Sequence, residues 1–370
     1  MKILFIARYI NTSGVSTHML TVGKGLISKG HKVALMSGGP IKNARAEKLF
    51  AEFDKNGFEI IQVPFLVEKT NKIKEGLSYL ISLPIGLKRI REFNPDIIHV
   101  HWPVTSYLAK LYTKITGKKF VTTYHTSGIP KHFLHRKADY AIAISSELKR
   151  ELVNRFGYNK EQIKLIYNGI SKDKFNRKPS EGLKNNIKMQ LNLPLEKPLL
   201  GFVGSLNKRK GIDILLEACS KITNVDFHIV LVGDGDKNWL LNLINKFRLD
   251  NKISVYPFQD PVKFYSIFDV FVLPSRKEGF PLVSIEAMMM GIPTIRSNVE
   301  GANDQIKHNI NGFIFKNEDV QELSKYIRLL LQNNELRKNM GQKARLYATN
   351  KFSADIMINK LIQLYKEILE

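Results

Sequence analysis

The chain has 370 residues, of which 44% are apolar and 25% charged; this is a globular composition, with length for two cores rather than one. Its one cysteine, Cys219, excludes a disulfide framework and a thiolate metal site. The net charge of +23 is uneven: residues 1–178 hold 31 Lys and Arg against 13 Asp and Glu, and residues 179–370 hold 26 against 21.

No run of sequence approaches the roughly 18 uncharged apolar residues of a membrane-spanning helix. So basic an N-terminal half suits anionic lipid, a phosphorylated substrate or nucleic acid. Zinc-finger spacing and an aromatic RNA-binding signature are both missing, so nucleic acid is not expected as a partner. A lysine-rich solvated surface is the plain alternative, but it leaves the asymmetry unexplained.

In chain order, Met1–Ala7 is apolar, and Arg8 and Asn11 end it too early for a signal peptide. It reads as a buried first strand, and a cytoplasmic address is expected. Further strands are predicted at Lys32–Ser37, Glu59–Val63, Ile97–His101, Phe120–Tyr124 and Ala141–Ile144. Helices are predicted between them at Ser16–Ser28, Ala44–Asn56, Lys72–Phe93 and Ser146–Phe156, with Pro84 and Gly86 interrupting the third. The alternation indicates βαβ units and a parallel sheet. Residues 177–195, with Pro179, Ser180, Gly182 and Pro194, read as a linker between an N-terminal domain over 1–176 and a C-terminal domain over 196–351. In the second half, strands are expected at Leu199–Val203, Asp226–Val232, Ile253–Tyr256, Val270–Leu273, Pro293–Arg296 and Gly312–Phe315. Residues 352–370 form a last amphipathic helix, expected to return to the N-terminal domain. The fold class is therefore α/β, with two doubly wound Rossmann-like domains whose ligands lie at the carboxyl ends of the strands, in a cleft.

The strongest chemical signal runs from Pro274 to Met288, where a strand enters a turn holding Glu278, Gly279, Phe280 and Pro281, and a helix opens near Leu282 and Val283. Such a strand–turn–helix presents free N–H groups and a positive dipole end, which suit a pyrophosphate. Glu278 and Glu286 are spaced to hold hydroxyls at two ends of one extended ligand; a solvated Glu278 and a capping Glu286 are the alternative. Asp234 and Asp236 form a D-x-D pair that turn chemistry explains better than a metal does.

Glu278 to Glu286 resembles the E-x7-E element of the retaining GT-B glycosyltransferases, within the S-x-x-E-G-F-P-L-V-x-x-E-A surroundings of glycosyltransferase family 4. Gly201–Gly204 with Lys210–Ala218, Ile166–Ile170, Val232–Gly235, Gly14 with His18, Asp96–His101 and Thr123–His125 are similar to family segments in the same order, so the resemblance covers essentially the whole chain. It implies a GT-B fold and a retaining transfer from a nucleoside-diphosphate sugar, UDP- or GDP-linked, to a glycan or lipid-linked acceptor. No cofactor and no metal are implied. By the same resemblance Glu286 holds the ribose hydroxyls, Glu278 the transferred sugar, and Lys210 the diphosphate together with the backbone around Phe280, Pro281, Leu282 and Val283. His125 contacts the donor sugar, Gly14 touches the donor, and Phe258 borders the base.

The family's usual arginine is replaced by Ser205, which leaves Arg209 or Arg276 as substitutes on the phosphate. His101 and Trp102 are expected to line the acceptor site, with Ser16 nearby, while His99 packs on the opposite side of the sheet from His101. The resemblance also implies that the N-terminal domain docks on an anionic membrane. Three basic clusters offer themselves there: Lys69, Lys72, Lys74, Lys88, Arg89 and Arg91; Lys110, Lys114, Lys118 and Lys119; Lys131, His132, His135, Arg136 and Lys137. A nucleotide-sugar epimerase on the same scaffold and a catalytically weak sugar-nucleotide-binding protein remain as other readings.

Overall fold

The computed structural model describes residues 1–64, 72–130, 132–175 and 179–370, with the backbone alone for 72–75. Lys69 and Lys131, and the side chains of Lys72 and Lys74, lie outside the described residues. Two compact units result, one of Met1–Gly169 with Ala354–Glu370 and one of Ile170–Ser353.

Among the described residues the first unit has seven strands: β1 (Lys2–Ile6), β2 (Lys32–Ser37), β3 (Glu59–Gln62), β4 (Ile97–Val100), β5 (Phe120–Tyr124), β6 (Tyr140–Ala143) and β7 (Ile163–Leu165). They form one sheet in the order β3-β2-β1-β4-β5-β6-β7, with every pair parallel. β1 shows why these sequences make strands: Ile3 and Phe5 enter one core and Leu4 and Ile6 the other, as a strand buried on both faces requires. β7, only three residues long and half-buried, has too little apolar pattern to be predicted.

The helix Gly14–Ser28 covers one face together with the C-terminal helix Ala354–Leu369, whose Met357, Ile358, Leu361, Leu364, Tyr365 and Ile368 all join that core. The Tyr365 hydroxyl lies 2.6 Å from His99 Nδ1, and Lys164 pairs with Glu367 at 2.6 Å. The helix Lys72–Phe93 runs through Pro84 without ending there. It buries Ser78, Tyr79, Ser82, Ile90 and Phe93 and exposes Leu77, Leu80 and Ile81.

The second unit has β8 (Leu199–Val203), β9 (His228–Val232), β10 (Ile253–Tyr256), β11 (Val270–Leu273), β12 (Thr294–Ser297) and β13 (Gly312–Phe315). Their order is β10-β9-β8-β11-β12-β13, again all parallel. The stretch expected as a linker departs most from expectation, since Glu181–Gln190 is a helix of this unit. The Ser180 hydroxyl caps it by accepting from Leu183 N–H, and Lys188 donates to the Leu195 carbonyl at 2.8 Å. The Pro, Ser and Gly that read as a flexible joint are largely helix-start chemistry. The chain leaves the first unit at Gly169 rather than at 176, because Ile170 N–H bonds to the Phe352 carbonyl and Phe175 packs on Tyr265.

Candidate active site

Each sheet reverses its strand order once, between β1 and β4 and between β8 and β11, and ligands of doubly wound sheets bind outside the carboxyl ends of strands at such a reversal. In the second unit the loops leaving β8 and β11 carry Lys210 and Glu278. Their side chains meet at 2.5 Å, and both are largely withdrawn from solvent. Local sequence fixes each of them. The Asn207 side chain accepts from Lys210 N–H at 3.0 Å to shape a short 3-10 turn. Gly211 then turns left-handed at φ 72°, where a Cβ would stand 1.9 Å from the Pro274 carbonyl oxygen. Only glycine lets the Lys210 turn lie this close to the exit of β11.

Arg276 braces the same turn from the other side. Its guanidinium forks onto Asp213 at 2.8 and 2.9 Å, pairs with Glu318, and donates to the Lys208 carbonyl. With those donors committed, Arg276 is not a replacement for the arginine missing at Ser205. Ser205 and Arg209 are exposed, which leaves Arg209 as the cation near the gap.

The loop Pro274–Pro281 leads into the helix Leu282–Met289, whose first N–H groups have no intrahelical acceptor. Buried Arg296 anchors this corner: it donates to Gln305 and to the Glu300 carbonyl, while Gln305 donates to the Pro281 carbonyl at 3.0 Å. The Phe280 ring packs on Phe352, so Phe280 contributes to the corner by filling the core beneath it. About one turn into that helix, Glu286 accepts from the Tyr265 hydroxyl at 2.9 Å, and burial pushes its carboxyl up to about 7. Phe258 stands exposed after β10, its N–H held by Asp234 Oδ1 at 3.1 Å. Asp236 caps the next helix through Trp239 N–H. Both aspartates of the D-x-D are therefore spent on turn and cap. At Gly233, φ 155°, a Cβ would fall 1.8 Å from the Gly204 carbonyl oxygen, which is what demands glycine in that segment.

In the first unit the exits of β1, β4 and β5 bring histidines together. His101 Nδ1 lies 3.2 Å from His125 Nε2 with the rings stacked, and burial holds both imidazoles well below their ordinary range. Several expectations change here. His99 and His101, two apart on an extended segment, share a face; their rings stack at 4.1 Å. His99 is held by Tyr365 and by Thr123, each at 2.6 Å. His101 is only 2% exposed, so it supports His125 from beneath rather than lining a surface. Ser16 is fully buried, and its hydroxyl shares a local network with Asn11, so it does not face an acceptor. Trp102 packs at 4.8 Å on Tyr9, and Gly14 opens its helix with free space where a side chain would be. His18, matched to the family together with Gly14 but given no role by the sequence, has a ring that meets those of both His101 and His125. It stands four residues after Gly14 on an amphipathic helix, where a buried histidine has no distinctive pattern.

Two tandem parallel-sheet units of this strand order, with a lysine–glutamate pair at the reversal of the second, define the GT-B class of α/β proteins. A glycosyltransferase family 4 domain matches residues 12–174, and a glycosyl transferases group 1 domain matches residues 184–347. The chain belongs to this glycosyltransferase family. It is 25% identical to N-acetyl-alpha-D-glucosaminyl L-malate synthase of Bacillus anthracis, over 98% of this chain and 96% of that protein. It is 26% identical to the O-antigen biosynthesis glycosyltransferase WclY of Escherichia coli, over 100% and 99%. Among solved structures, HepE of Anabaena in complex with UDP-glucose superposes with a TM-score of 0.82 at 20% identity, over 99% of this chain and 100% of that one.

Proposed function

We propose that the chain is a retaining transferase that moves a sugar from a nucleoside diphosphate to a glycan or lipid-linked acceptor in surface polysaccharide assembly. The Lys210–Glu278 pair at the β8/β11 reversal carries this reading, because it places a cation and a hydroxyl acceptor side by side where a doubly wound sheet binds ligands. Lys210 and the N–H groups opening the helix at Leu282 and Val283 take the diphosphate. Glu278 takes the sugar hydroxyls, and Glu286 takes the ribose. As the glycosidic bond breaks, negative charge grows on the leaving phosphate oxygen, and a fixed ammonium in a water-poor site stabilises it. That oxygen accepts the proton of the attacking acceptor hydroxyl on the same face, so configuration is kept and no protein base is required. Phe258 borders the base, and His125, held neutral by burial, serves the transferred sugar through its carbonyl or ring. No metal takes part in this scheme, in which Lys210 supplies the charge.

The UDP-glucose bound by HepE supports a nucleotide-sugar donor, and the name of WclY supports a glycan product. Among the described residues no helix is long and apolar enough to cross a membrane. A peripheral contact is favoured by Leu77, Leu80 and Ile81, which face outward on the helix Lys72–Phe93, and by Phe133, 71% exposed, in a strongly basic half. The deciding experiment measures nucleoside-diphosphate release from UDP- and GDP-sugars with and without acceptor. Release that depends on acceptor is expected; conversion of donor to its epimer without acceptor would overturn the reading.

A further inference from the structure

Three histidines converge at the carboxyl ends of β1, β4 and β5, and the transfer scheme uses one of them directly. His18 is buried on the helix Gly14–Ser28. Its ring meets that of His125 at 5.0 Å and 73°, and that of His101 at 5.7 Å and 61°. His101 lies stacked against His125, 23° from parallel, and bonds to it. Both ring nitrogens of His18 and Nε2 of His101 are buried with no hydrogen-bond partner. Leaving such a group unpaired is destabilising, a cost that an apolar side chain at position 18 would avoid.

One ring nitrogen from each of the three lies within 4.8 Å of the others, which raises the question of a metal. The donor set does not fit one well. A ligating histidine normally gives its second nitrogen to a carboxylate or carbonyl, whereas His18 has no partner at either nitrogen and the trio contains no carboxylate. The ring angles fit a different arrangement, in which the His18 ring stands steeply across both of its neighbours in edge-to-face contacts. Burial lowers the His18 pKa to about 4, so the close packing sets no positive charges against each other near neutral pH.

We propose that His18 is a positioning residue, an edge-on wedge that with His101 fixes the His125 ring, and the strand end carrying it, in the orientation sugar transfer uses. The inference rests on the reading that His125 serves the donor sugar. Its expected signature is kinetic, because misplacing a reacting partner by about 1 Å costs up to roughly 100-fold in rate, while the nucleotide is held by the second unit.

The test compares full-length His18→Ala, His18→Gln, His18→Phe and His125→Ala chains, using nucleoside-diphosphate release at saturating donor and titration with UDP and GDP. The Gln variant stands in if the Ala variant does not fold. We expect His18→Ala or His18→Gln to lower kcat by roughly 10- to 100-fold with nucleotide affinity unchanged. His18→Phe, which keeps the wedge, should recover most of the rate. A wild-type kcat in His18→Ala or His18→Gln beside a slow His125→Ala would overturn this inference alone, as would a His18→Phe no faster than His18→Ala. A wild-type rate in His125→Ala would overturn this inference and, with it, a ring contact from His125 to the sugar. Stoichiometric zinc in the purified chain, with activity lost on chelation and restored by zinc, would replace the wedge with a metal centre.

Discussion

At the scale of single residues, the corner that holds Glu286 trades stability for a buried ionisable group. Glu286 is withdrawn from solvent, and burial raises its carboxyl from 4.5 to about 7. An acid raised on folding binds its proton more tightly in the native state. Its contribution is thus full below pH 4.5 and is lost as pH rises through 7. A Glu286→Gln chain should therefore melt higher than wild type at pH 8, with the gap closing toward pH 5, and should bind UDP or GDP more weakly; scanning calorimetry and nucleotide titration check the two halves. In the proposed transfer Lys210 is the cation opposite the leaving group, so Lys210→Ala should cost roughly 10²–10³-fold in kcat, the range seen for removal of one charge-stabilising donor. At Gly211 the left-handed backbone and the Pro274 carbonyl both oppose a side chain. Gly211→Ala should destabilise the fold by more than about 1 kcal/mol, measurable by urea denaturation.

At the scale of elements, the C-terminal helix Ala354–Leu369 shows how a distant segment fixes a site. Its Tyr365 hydroxyl satisfies His99 Nδ1, and His99 in turn stacks on His101. Tyr365→Phe leaves that nitrogen buried without its partner, and about 1–3 kcal/mol of stability should be lost in chemical denaturation. The helix Lys72–Phe93 illustrates the opposite case. It turns serines and Tyr79 inward and sets Leu77, Leu80 and Ile81 outward, so its apolar stripe is not satisfied by its own sheet. Burying one leucine in an acyl layer contributes roughly 1.5–3 kcal/mol, and Leu80→Asp should sharply reduce cosedimentation with anionic vesicles while leaving UDP or GDP binding intact.

For the whole molecule, the concentration of positive charge in residues 1–178 sets an ionic-strength dependence. Each cation near an anionic surface contributes about 1 kcal/mol, and the attraction is screened within a Debye length. Vesicle binding should fall steeply from low to physiological salt, whereas the affinity for UDP or GDP, set by few charges at close range, should change less.

The alternation of short β-branched runs with helical stretches indicates both parallel sheets except for the edge strand β7, since strands buried on both faces read as apolar runs. The turns after β8 and β9 are equally legible, because positions such as Gly211 and Gly233 write their requirement into one residue type. What the sequence by itself could not decide depends on partners far apart in the chain. Arg276 looked free to grip phosphate until Asp213 and Glu318 were found on its guanidinium, and Ser16 looked available until its burial beside Asn11 removed it. His18 became part of the site only through rings contributed by two other strand ends. Local pattern fixed the elements and their glycines, whereas side-chain allegiance was settled by packing, where an unpaired buried polar group is costly.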